Sequence, residues 1–466
     1  MTLSVLDAAI EYPDRIALVT NDRSVRYDEL AASVTRTIAS LRREGVVADS
    51  GEPPRPVAVE GATHLASVTL LLALIAAGVP AAVLHPRWTR AERARWLEAT
   101  GIRQTLTPSA LATDNATPTS TPPVPDDDRP LAVLPTSGTT GSPRAVLLSR
   151  RAFVASARAS ALNLGWQPED RWLANLPLAH VGGLSILTRC LIARRTAVLV
   201  APTRGEQLAA AVEQHGISLL SLVPPLLQRL FDIRPSWQLP RRVRAILVGG
   251  AALPNRLRHE AAARGWPVLA TYGLTEACSQ VATQRCNGPG PRELGAGVAL
   301  PGTQIRIVDG RIQIRGPTLF SGYLPSDPHA EPSLAGWFDT GDLGSLDADG
   351  RLHVLGRQDD LIVTGGENVS PLEVEAALEA CPGVVAACVF GVPSERWGRL
   401  VAAAIVTEPG TMAPLRELIA PAGARLAPFK LPRQVALLDE LELRPSGKVD
   451  RRATARRAAP LLREPH

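Results

Sequence analysis

Lysine is almost absent from this sequence, so each remaining lysine is a candidate for chemistry. Of 50 lysine and arginine residues, only Lys430 and Lys448 are lysines. A compact ammonium group provides a point charge that the planar guanidinium group of arginine does not. Lys448 lies in the glycine-flanked segment Ser446-Gly447-Lys448-Val449. We therefore take Lys448 as a candidate catalytic group; the alternative is a lysine that survived by chance on a solvated loop.

A loop rich in glycine and hydroxyl residues lies far earlier in the chain and favours the catalytic interpretation. A short apolar run, residues 131–135, leads directly into it. Glycine lets backbone N–H groups surround an anion, and hydroxyl groups add further donors. The loop is not a Walker A motif, because serine, proline and arginine follow its second glycine. We expect it to bind phosphate through Thr136, Ser137, Gly138, Thr139, Thr140, Gly141 and Arg144.

The order of these residues resembles the phosphate-binding signature of the acyl-adenylate-forming superfamily, which includes acyl-CoA synthetases, peptide-synthetase adenylation domains and luciferases. The usual ending Pro-Lys-Gly is here Pro143-Arg144-Ala145. Each further segment taken alone is typical of an ordinary loop, whereas the full set in one order indicates the superfamily. The segments that resemble its other signatures are residues 176–180, 248–252, 271–276, 337–342, 356–360, 365–368 and 447–448.

The resemblance implies a role for the residues of the first half-reaction. Tyr272 stacks on adenine, with the backbone of Gly249, Gly250, Ala251 and Gly273 beside it. Thr275 contacts the α-phosphate and Glu276 binds Mg²⁺. Asp342 accepts the ribose hydroxyls, with Arg357 nearby, and Lys448 meets the substrate carboxylate and the α-phosphate. The reactants implied are ATP, Mg²⁺ and a small carboxylic acid.

The resemblance also implies a second half-reaction, in which CoA supplies the thiol. Asp359 would be the hinge between two domains. The loop that contains Gly365 and Gly366 would lie beside the channel for the CoA pantetheine. Rotation about the hinge would withdraw Lys448 and bring this loop to the thiol.

The segment from His180 to Arg189 indicates which acid is used. Its pattern His-x-x-Gly-Leu-Ser-Ile-Leu-x-Arg resembles o-succinylbenzoate–CoA ligases of menaquinone biosynthesis. Their substrate has two carboxylates, one activated and one spectator, and a buried spectator anion needs a counter-charge. Arg189 is the candidate for that charge, with His180, Ser185 and Gly273 in the acid pocket. The alternative for Arg189 is a surface helix residue.

Three other functions remain open from the sequence. The chain could be a ligase for another aryl or acyl acid, because the pocket cannot be sized from sequence. It could load a separate carrier protein instead of free CoA. A regulatory protein that binds nucleotide at a dead site is a third alternative, against which the set Glu276, Asp342, Arg357 and Lys448 argues.

The elements that must position these residues form an α/β pattern. Short apolar runs alternate with helices through the first part of the chain, which is typical of parallel sheets. Among the expected strands are residues 57–60, 81–84 and 245–248. From residue 295 the pattern changes to short alternating strands, and a small α+β unit with a helix at residues 371–380 follows residue 359. We therefore expect a large domain at residues 1–358, with parallel-sheet α/β subdomains and a small β-barrel-like subdomain. A small mobile α+β domain at residues 359–466 would carry Lys448.

Composition excludes several other classes. The net charge is +5 over 466 residues, but the arginines are dispersed and no nucleic-acid motif appears. The longest apolar stretch, residues 67–84, is interrupted by Gly78 and Pro80, so we expect no membrane span. The N-terminus lacks a signal pattern. Five scattered cysteines fit a reducing cytoplasm. A homo-oligomer is compatible with the sequence.

Overall fold

The structure is a computed structural model, and it describes residues 2–47, 54–108, 127–136, 144–200, 205–233, 237–325, 336–411, 413–444 and 447–465. The helices of these residues are α1 (Val5–Glu11), α2 (Tyr27–Arg43), α3 (Leu65–Ala77), α4 (Arg90–Thr100), α5 (Arg150–Leu164), α6 (Val181–Ala193), α7 (Gly205–Gln214), α8 (Pro224–Asp232), α9 (Asn255–Ala263), α10 (Pro371–Glu379), α11 (Leu415–Ile419) and α12 (Arg451–Ala458).

The strands of the same residues are β1 (Ile16–Val19), β2 (Ser24–Arg26), β3 (Val57–Glu60), β4 (Ala81–Leu84), β5 (Thr105–Leu106), β6 (Pro130–Thr136), β7 (Arg144–Ser149), β8 (Arg171–Leu173), β9 (Thr196–Val198), β10 (Leu219–Leu222), β11 (Ala245–Val248), β12 (Val268–Leu274), β13 (Ser279–Thr283), β14 (Val298–Ala299), β15 (Gln304–Val308), β16 (Arg311–Arg315), β17 (Gly322–Leu324), β18 (Phe338–Leu346), β19 (Leu352–Arg357), β20 (Ile362–Thr364), β21 (Glu367–Val369), β22 (Val384–Ser394), β23 (Gly398–Thr407) and β24 (Gln434–Leu437).

Two mixed sheets form the centre of the large part of the chain. One has six strands in the order β17-β7-β6-β4-β3-β5, and the other has nine in the order β14-β13-β12-β11-β10-β8-β9-β1-β2. The central strands are parallel and carry uninterrupted apolar runs, as in β11, where all four residues are buried. Such runs are expected where helices cover both faces of a sheet.

Helix α3 shows how the two sheets share a core. Nine of its residues are buried, from Ser67 to Ile75, and the seven apolar ones pack in one hydrophobic cluster with residues of both sheets. A helix that is apolar on all sides must be buried on all sides. The side chain of His64 caps its N-terminus by accepting from the backbone N–H of Ser67 at 3.2 Å.

The remaining two sheets are smaller. Strands β15, β16, β18 and β19 form a four-stranded antiparallel sheet, which is the small subdomain that the sequence predicted. After a 3₁₀ turn at Gln358–Asp360, strands β20 to β24 form the sheet of the C-terminal part, with α10, α11 and α12 around it. This part has its own hydrophobic cluster.

The predicted fold class is confirmed: parallel-sheet α/β units, a small antiparallel sheet and a small α+β unit follow one another along the chain. The boundary at residue 358 and the mobility of the C-terminal domain stay predictions. Within the described ranges, no helix has both the length and the apolar character needed to cross a membrane.

Candidate active site

The predicted site residues converge at the carboxyl ends of the parallel strands of the nine-stranded sheet. Gly249 and Gly250 directly follow β11, Gly273 is the penultimate residue of the neighbouring strand β12, and Thr275 and Glu276 begin the 3₁₀ turn after it. Loops at this end of a parallel sheet commonly hold ligands. The small antiparallel sheet contributes Asp342 and Arg357, and the C-terminal part contributes Lys448.

Asp342 is fixed by two neighbours. The phenol of Tyr272 donates to Oδ2 at 2.6 Å, and Nη1 of Arg357 lies 3.1 Å from Oδ1. Asp342 pairs directly with Arg357 across β18 and β19. Burial raises the pKa of the Asp342 carboxyl, whereas Tyr272, Arg357 and Lys448 act to lower it. The result is a nearly buried carboxylate in a set orientation, which can accept two hydroxyl groups.

Glu276 is contacted by a second phenol. The phenol of Tyr323 donates to its Oε1 at 3.0 Å, and burial raises the pKa of the Glu276 carboxyl. A bound cation would offset that cost of burial. The described part of the chain contains no cluster of three or more His, Cys, Asp or Glu side chains suited to a metal. A single carboxylate suits Mg²⁺, which retains waters and takes its other ligands from substrate phosphates.

Tyr323 is a site residue that sequence reasoning missed. Its strand β17 pairs with β7, the strand that begins at Arg144, and the Arg144 guanidinium lies 5.3 Å from the centre of the Tyr323 ring. Tyr323 therefore connects the cation of the phosphate loop to Glu276. No local pattern could reveal this contact, because it depends on pairing between strands distant in sequence.

Lys448 enters this group from the C-terminal part. A side chain at Gly250 would begin 3.6 Å from Cε of Lys448. Burial and Arg444 lower the pKa of the Lys448 ammonium, whereas Asp342 and Glu276 act to raise it. The ammonium therefore lies within electrostatic reach of both carboxylates. Lys430 lies elsewhere and donates to the two carboxylate oxygens of Glu373 at 2.6 and 2.8 Å.

Close packing explains why glycine occupies two predicted positions of the adenine site, Gly249 and Gly273. A Cβ at Gly249 would lie 2.7 Å from Cγ2 of Thr271, and one at Gly273 would lie 1.9 Å from the carbonyl oxygen of Ser279. Only glycine fits at such close approaches of backbone. Ala251, which follows Gly250, is exposed.

His180 directly precedes α6, and its ring faces a second histidine. Its ring centroid lies 5.2 Å from that of His85. Burial, together with the charges of His85 and Lys448, lowers the pKa of His180 to about 4. His180 is therefore neutral near pH 7. Its buried Nε2 has no hydrogen-bond partner among the described residues, so it is available to a ligand.

Arg189 is a buried cation, so the alternative of a surface helix residue is wrong. It is 3 % exposed, and its guanidinium lies 5.6 Å from the ring centre of Trp172. Nη2 donates to Oγ of Ser156 at 3.3 Å, while Nε is buried without a partner. Burial lowers the pKa of Arg189 to about 10. The described residues give it no ion pair, and an anionic ligand would compensate a buried charge of this kind.

Other buried polar side-chain atoms also lack a hydrogen-bond partner among the described residues. Oγ of Ser185, one helical turn before Arg189, has none among the described residues. The same holds for both side-chain polar atoms of Asn175, which follows β8, and for Oε1 of Gln280 on β13. Sequence reasoning missed Asn175 and Gln280. The signal for Asn175 was its place between a parallel strand and the segment that ends at His180.

Some predicted residues lie apart from this group or outside the described ranges. Gly365 and Gly366 form the turn between β20 and β21, where the N–H of Gly365 donates to the carbonyl of Trp397 at 3.0 Å. Asp359 lies in the 3₁₀ turn between the two parts of the chain. Thr136 ends β6 and pairs with Arg144, whereas residues 137–141 lie outside the described residues.

Comparison with known proteins identifies the family. A model described as "AMP-binding enzyme" matches residues 6–119 and 105–324, and one described as "AMP-binding enzyme C-terminal domain" matches residues 373–448. The 2-succinylbenzoate–CoA ligase of Bacillus pumilus is 31% identical over 475 residues, covering 96% of each chain. That of Bacillus subtilis is 32% identical over 465 residues, covering 94% of each.

Solved structures similar to this chain support the same family. The o-succinylbenzoate CoA synthetase (MenE) of B. subtilis with its acyl-adenylate intermediate OSB-AMP has a TM-score of 0.87 at 31% identity, covering 97% of each chain. ATP-bound MatB of Rhodopseudomonas palustris has a TM-score of 0.87 at 26% identity, covering 97% of this chain and 98% of that one. From these matches and the geometry above, the chain belongs to the family of AMP-binding enzymes.

Proposed function

We propose that this protein is an ATP-dependent 2-succinylbenzoate–CoA ligase that works through an acyl-adenylate. The observation that carries the proposal is the position of Lys448, whose Cε lies 3.6 Å from the point where a Cβ at Gly250 would stand. The relatives that cover nearly the whole chain bear this activity in their names.

In the first half-reaction, a carboxylate oxygen of the acid attacks the α-phosphorus of ATP, and the bond between the α- and β-phosphates breaks. Both reactants are anions, so the reaction needs positive charge at the reacting oxygens. Lys448 supplies it, Asp342 holds the ribose, and Arg144 lies beside the leaving diphosphate. Mg²⁺, held through Glu276, would neutralise phosphate charge when bound.

In the second half-reaction, the CoA thiol attacks the acyl carbonyl and AMP leaves. We propose that the C-terminal domain rotates about Asp359 between the two steps. The relatives support this proposal: MenE with OSB-AMP matches this chain with a TM-score of 0.87, whereas a MenE double mutant with the product analogue OSB-NCoA matches with 0.72. A different position of one domain in the product-analogue complex would account for the lower score.

Arg189 supports a dicarboxylic substrate. 2-Succinylbenzoate carries a ring carboxylate that takes no part in the reaction, and this group must be buried with a counter-charge. A buried arginine without an acidic partner in the described protein is suited to bind it through two parallel hydrogen bonds.

Pyrophosphate release tests the proposal. Purified protein with ATP and Mg²⁺ is given 2-succinylbenzoate, 4-oxo-4-phenylbutanoate (which lacks the ring carboxylate) and a panel of other acids. We expect release with 2-succinylbenzoate above the others, and consumption of free CoA with formation of its thioester. Failure to release pyrophosphate with any acid contradicts the proposal. Adenylate formation without CoA consumption favours loading of a carrier protein.

We further propose that the protein acts on small molecules in the cytoplasm. All five cysteines are free, and four of them are buried. Unpaired cysteines are typical of a reducing compartment.

A further inference from the structure

Ser156 occupies a buried position between the acid pocket and the turn that carries Glu276. It lies on α5 and is 2 % exposed. Its hydroxyl donates to the carbonyl oxygen of Cys278 at 2.7 Å, and the same oxygen accepts from Nη2 of Arg189 at 3.3 Å. A hydroxyl has one proton to donate, so these two contacts define its orientation.

Cys278 directly follows the 3₁₀ turn of Thr275–Ala277, and its backbone is strained. The φ angle is +48° at Cys278 and +93° at Ser279, a region that residues other than glycine rarely adopt. The carbonyl of Ser279 packs against Gly273, where a Cβ would lie only 1.9 Å away. A backbone in such a conformation persists only when its surroundings hold it. The hydrogen bond from Ser156 is one such contact.

We propose that Ser156 is a positioning residue that links Arg189 to the turn of Thr275 and Glu276. Ser156 contacts both Arg189, which would bind the spectator carboxylate, and Cys278, which follows the turn that would bind phosphate and Mg²⁺. Selection of a dicarboxylic acid then depends on Ser156 as well as on Arg189. This inference rests on the proposed function, because it assumes that Arg189 binds the second carboxylate.

Ser156→Ala tests the link, with pyrophosphate release measured for 2-succinylbenzoate and for 4-oxo-4-phenylbutanoate. Loss of a hydrogen bond to a charged group should raise the KM for 2-succinylbenzoate about tenfold. The KM for 4-oxo-4-phenylbutanoate should change less than about twofold, since this acid has no ring carboxylate for Arg189 to bind. Loss of the bond to Cys278 should lower kcat for both acids.

Ser160→Ala is the matched control. Ser160 lies one turn further along α5, is also 2 % exposed, and its hydroxyl has no partner among the described residues. This variant should keep the wild-type KM for both acids. If Ser156→Ala does not fold, Ser156→Cys is measured instead, because it keeps the volume and offers only a weak donor; the same selective rise in KM is expected.

Two results overturn the inference. Equal KM values for 2-succinylbenzoate in the Ser156 and Ser160 variants exclude the link, and so does an equal rise for both acids, which indicates a purely structural role. Either result in an active wild-type enzyme leaves the proposed function intact. A wild-type enzyme that releases no pyrophosphate with either acid removes the proposed function and this inference together.

Discussion

At the scale of residues, the site separates three charged groups by their surroundings. Asp342 is held by a phenol and a guanidinium, Glu276 by a phenol and a backbone N–H, and Arg189 by a hydroxyl and an aromatic ring. These differences match the partners that each would take: ribose hydroxyls, a metal ion and an organic anion. Side-chain type alone would not distinguish Asp342 from Glu276.

Tyr323→Phe tests how Glu276 is positioned. The change removes the hydrogen bond to the carboxylate and keeps the ring beside Arg144. We expect the Mg²⁺ concentration at half-maximal pyrophosphate release to rise about fivefold, as a lost hydrogen bond of about 1 kcal/mol implies. Direct Mn²⁺ binding in the presence of ATP should weaken in parallel. Tyr12→Phe, at an exposed tyrosine, is the control; the same metal dependence in both variants would exclude this role.

Arg189→Leu tests the counter-charge. The KM for 2-succinylbenzoate should rise about tenfold to a hundredfold, because a hydrogen-bonded charge pair with the substrate is lost. The KM for ATP should hardly change. Arg158→Leu, at an exposed position on α5, serves as the control. A KM for the acid that does not change would show that another group binds its second carboxylate.

At the scale of elements, local sequence patterns predicted the bounds of strands better than the contacts between strands distant in sequence. The apolar runs at residues 57–60, 81–84 and 245–248 are strands with those same bounds, because buried parallel strands are apolar throughout and end at polar or glycine residues. The helix predicted at residues 371–380 is α10, which ends one residue earlier. In contrast, the pairing of β17 with β7, and hence the role of Tyr323, depends on strands far apart in sequence.

Local sequence patterns also do not predict which residues surround the acid pocket. The sequence indicated Arg189 through a resemblance, but its surroundings on α5 and β13 were not predictable. Ser156 and Gln280 belong to no motif, and only packing of α5, α6 and β13 brings their elements together. Groups that act through tertiary contacts leave no periodic signal in the chain.

Helix α10 makes a pH-dependent contribution to stability. Burial raises the pKa of Glu379 from 4.5 to about 7, and Arg256 on α9 acts in the opposite direction. Between these pH values the folded state binds more protons than the unfolded state, so stability falls as pH rises from about 4.5 to 7. Glu379→Gln removes the carboxyl group that ionises over this range. The free energy of unfolding of the variant should exceed that of the wild type by about 1–2 kcal/mol at pH 7.5, with little difference at pH 4.5.

Urea unfolding at pH 4.5, 6 and 7.5 measures this contribution. Glu408→Gln, at an exposed carboxylate of the same part of the chain, is the control and should show no such trend. A gain for Glu379→Gln that is constant across the pH range would mean that the carboxyl titrates alike in the folded and unfolded states.

At the scale of the whole molecule, the account requires two arrangements of the C-terminal domain. The present arrangement places Lys448 beside Gly250 and leaves the turn of Gly365 and Gly366 packed against Trp397. Thioester formation would need the opposite: the lysine withdrawn and the turn at the thiol channel. The hinge must therefore allow large changes of φ and ψ at a few residues.

Asp359→Pro tests the hinge. A proline ring fixes φ, and at an incompatible angle this costs about 1–3 kcal/mol, so thioester formation should slow about tenfold to a hundredfold. Adenylate formation should change much less. Asp359→Ala, which leaves φ free, is the control. An unchanged ratio of the two half-reaction rates in Asp359→Pro would place the pivot elsewhere.

The central claim is that Lys448 joins the acid to AMP, and separate assays of the two half-reactions test it most directly. Lys448→Ala should lower pyrophosphate release with 2-succinylbenzoate about 10²- to 10³-fold, as expected when a donor to the reacting oxygens is removed. Conversion of preformed 2-succinylbenzoyl-AMP and CoA to the thioester should continue near the wild-type rate. Lys430→Ala, which removes the only other lysine, should leave both half-reactions intact. Equal loss of both half-reactions in Lys448→Ala, or adenylate formation at the wild-type rate, would contradict the account.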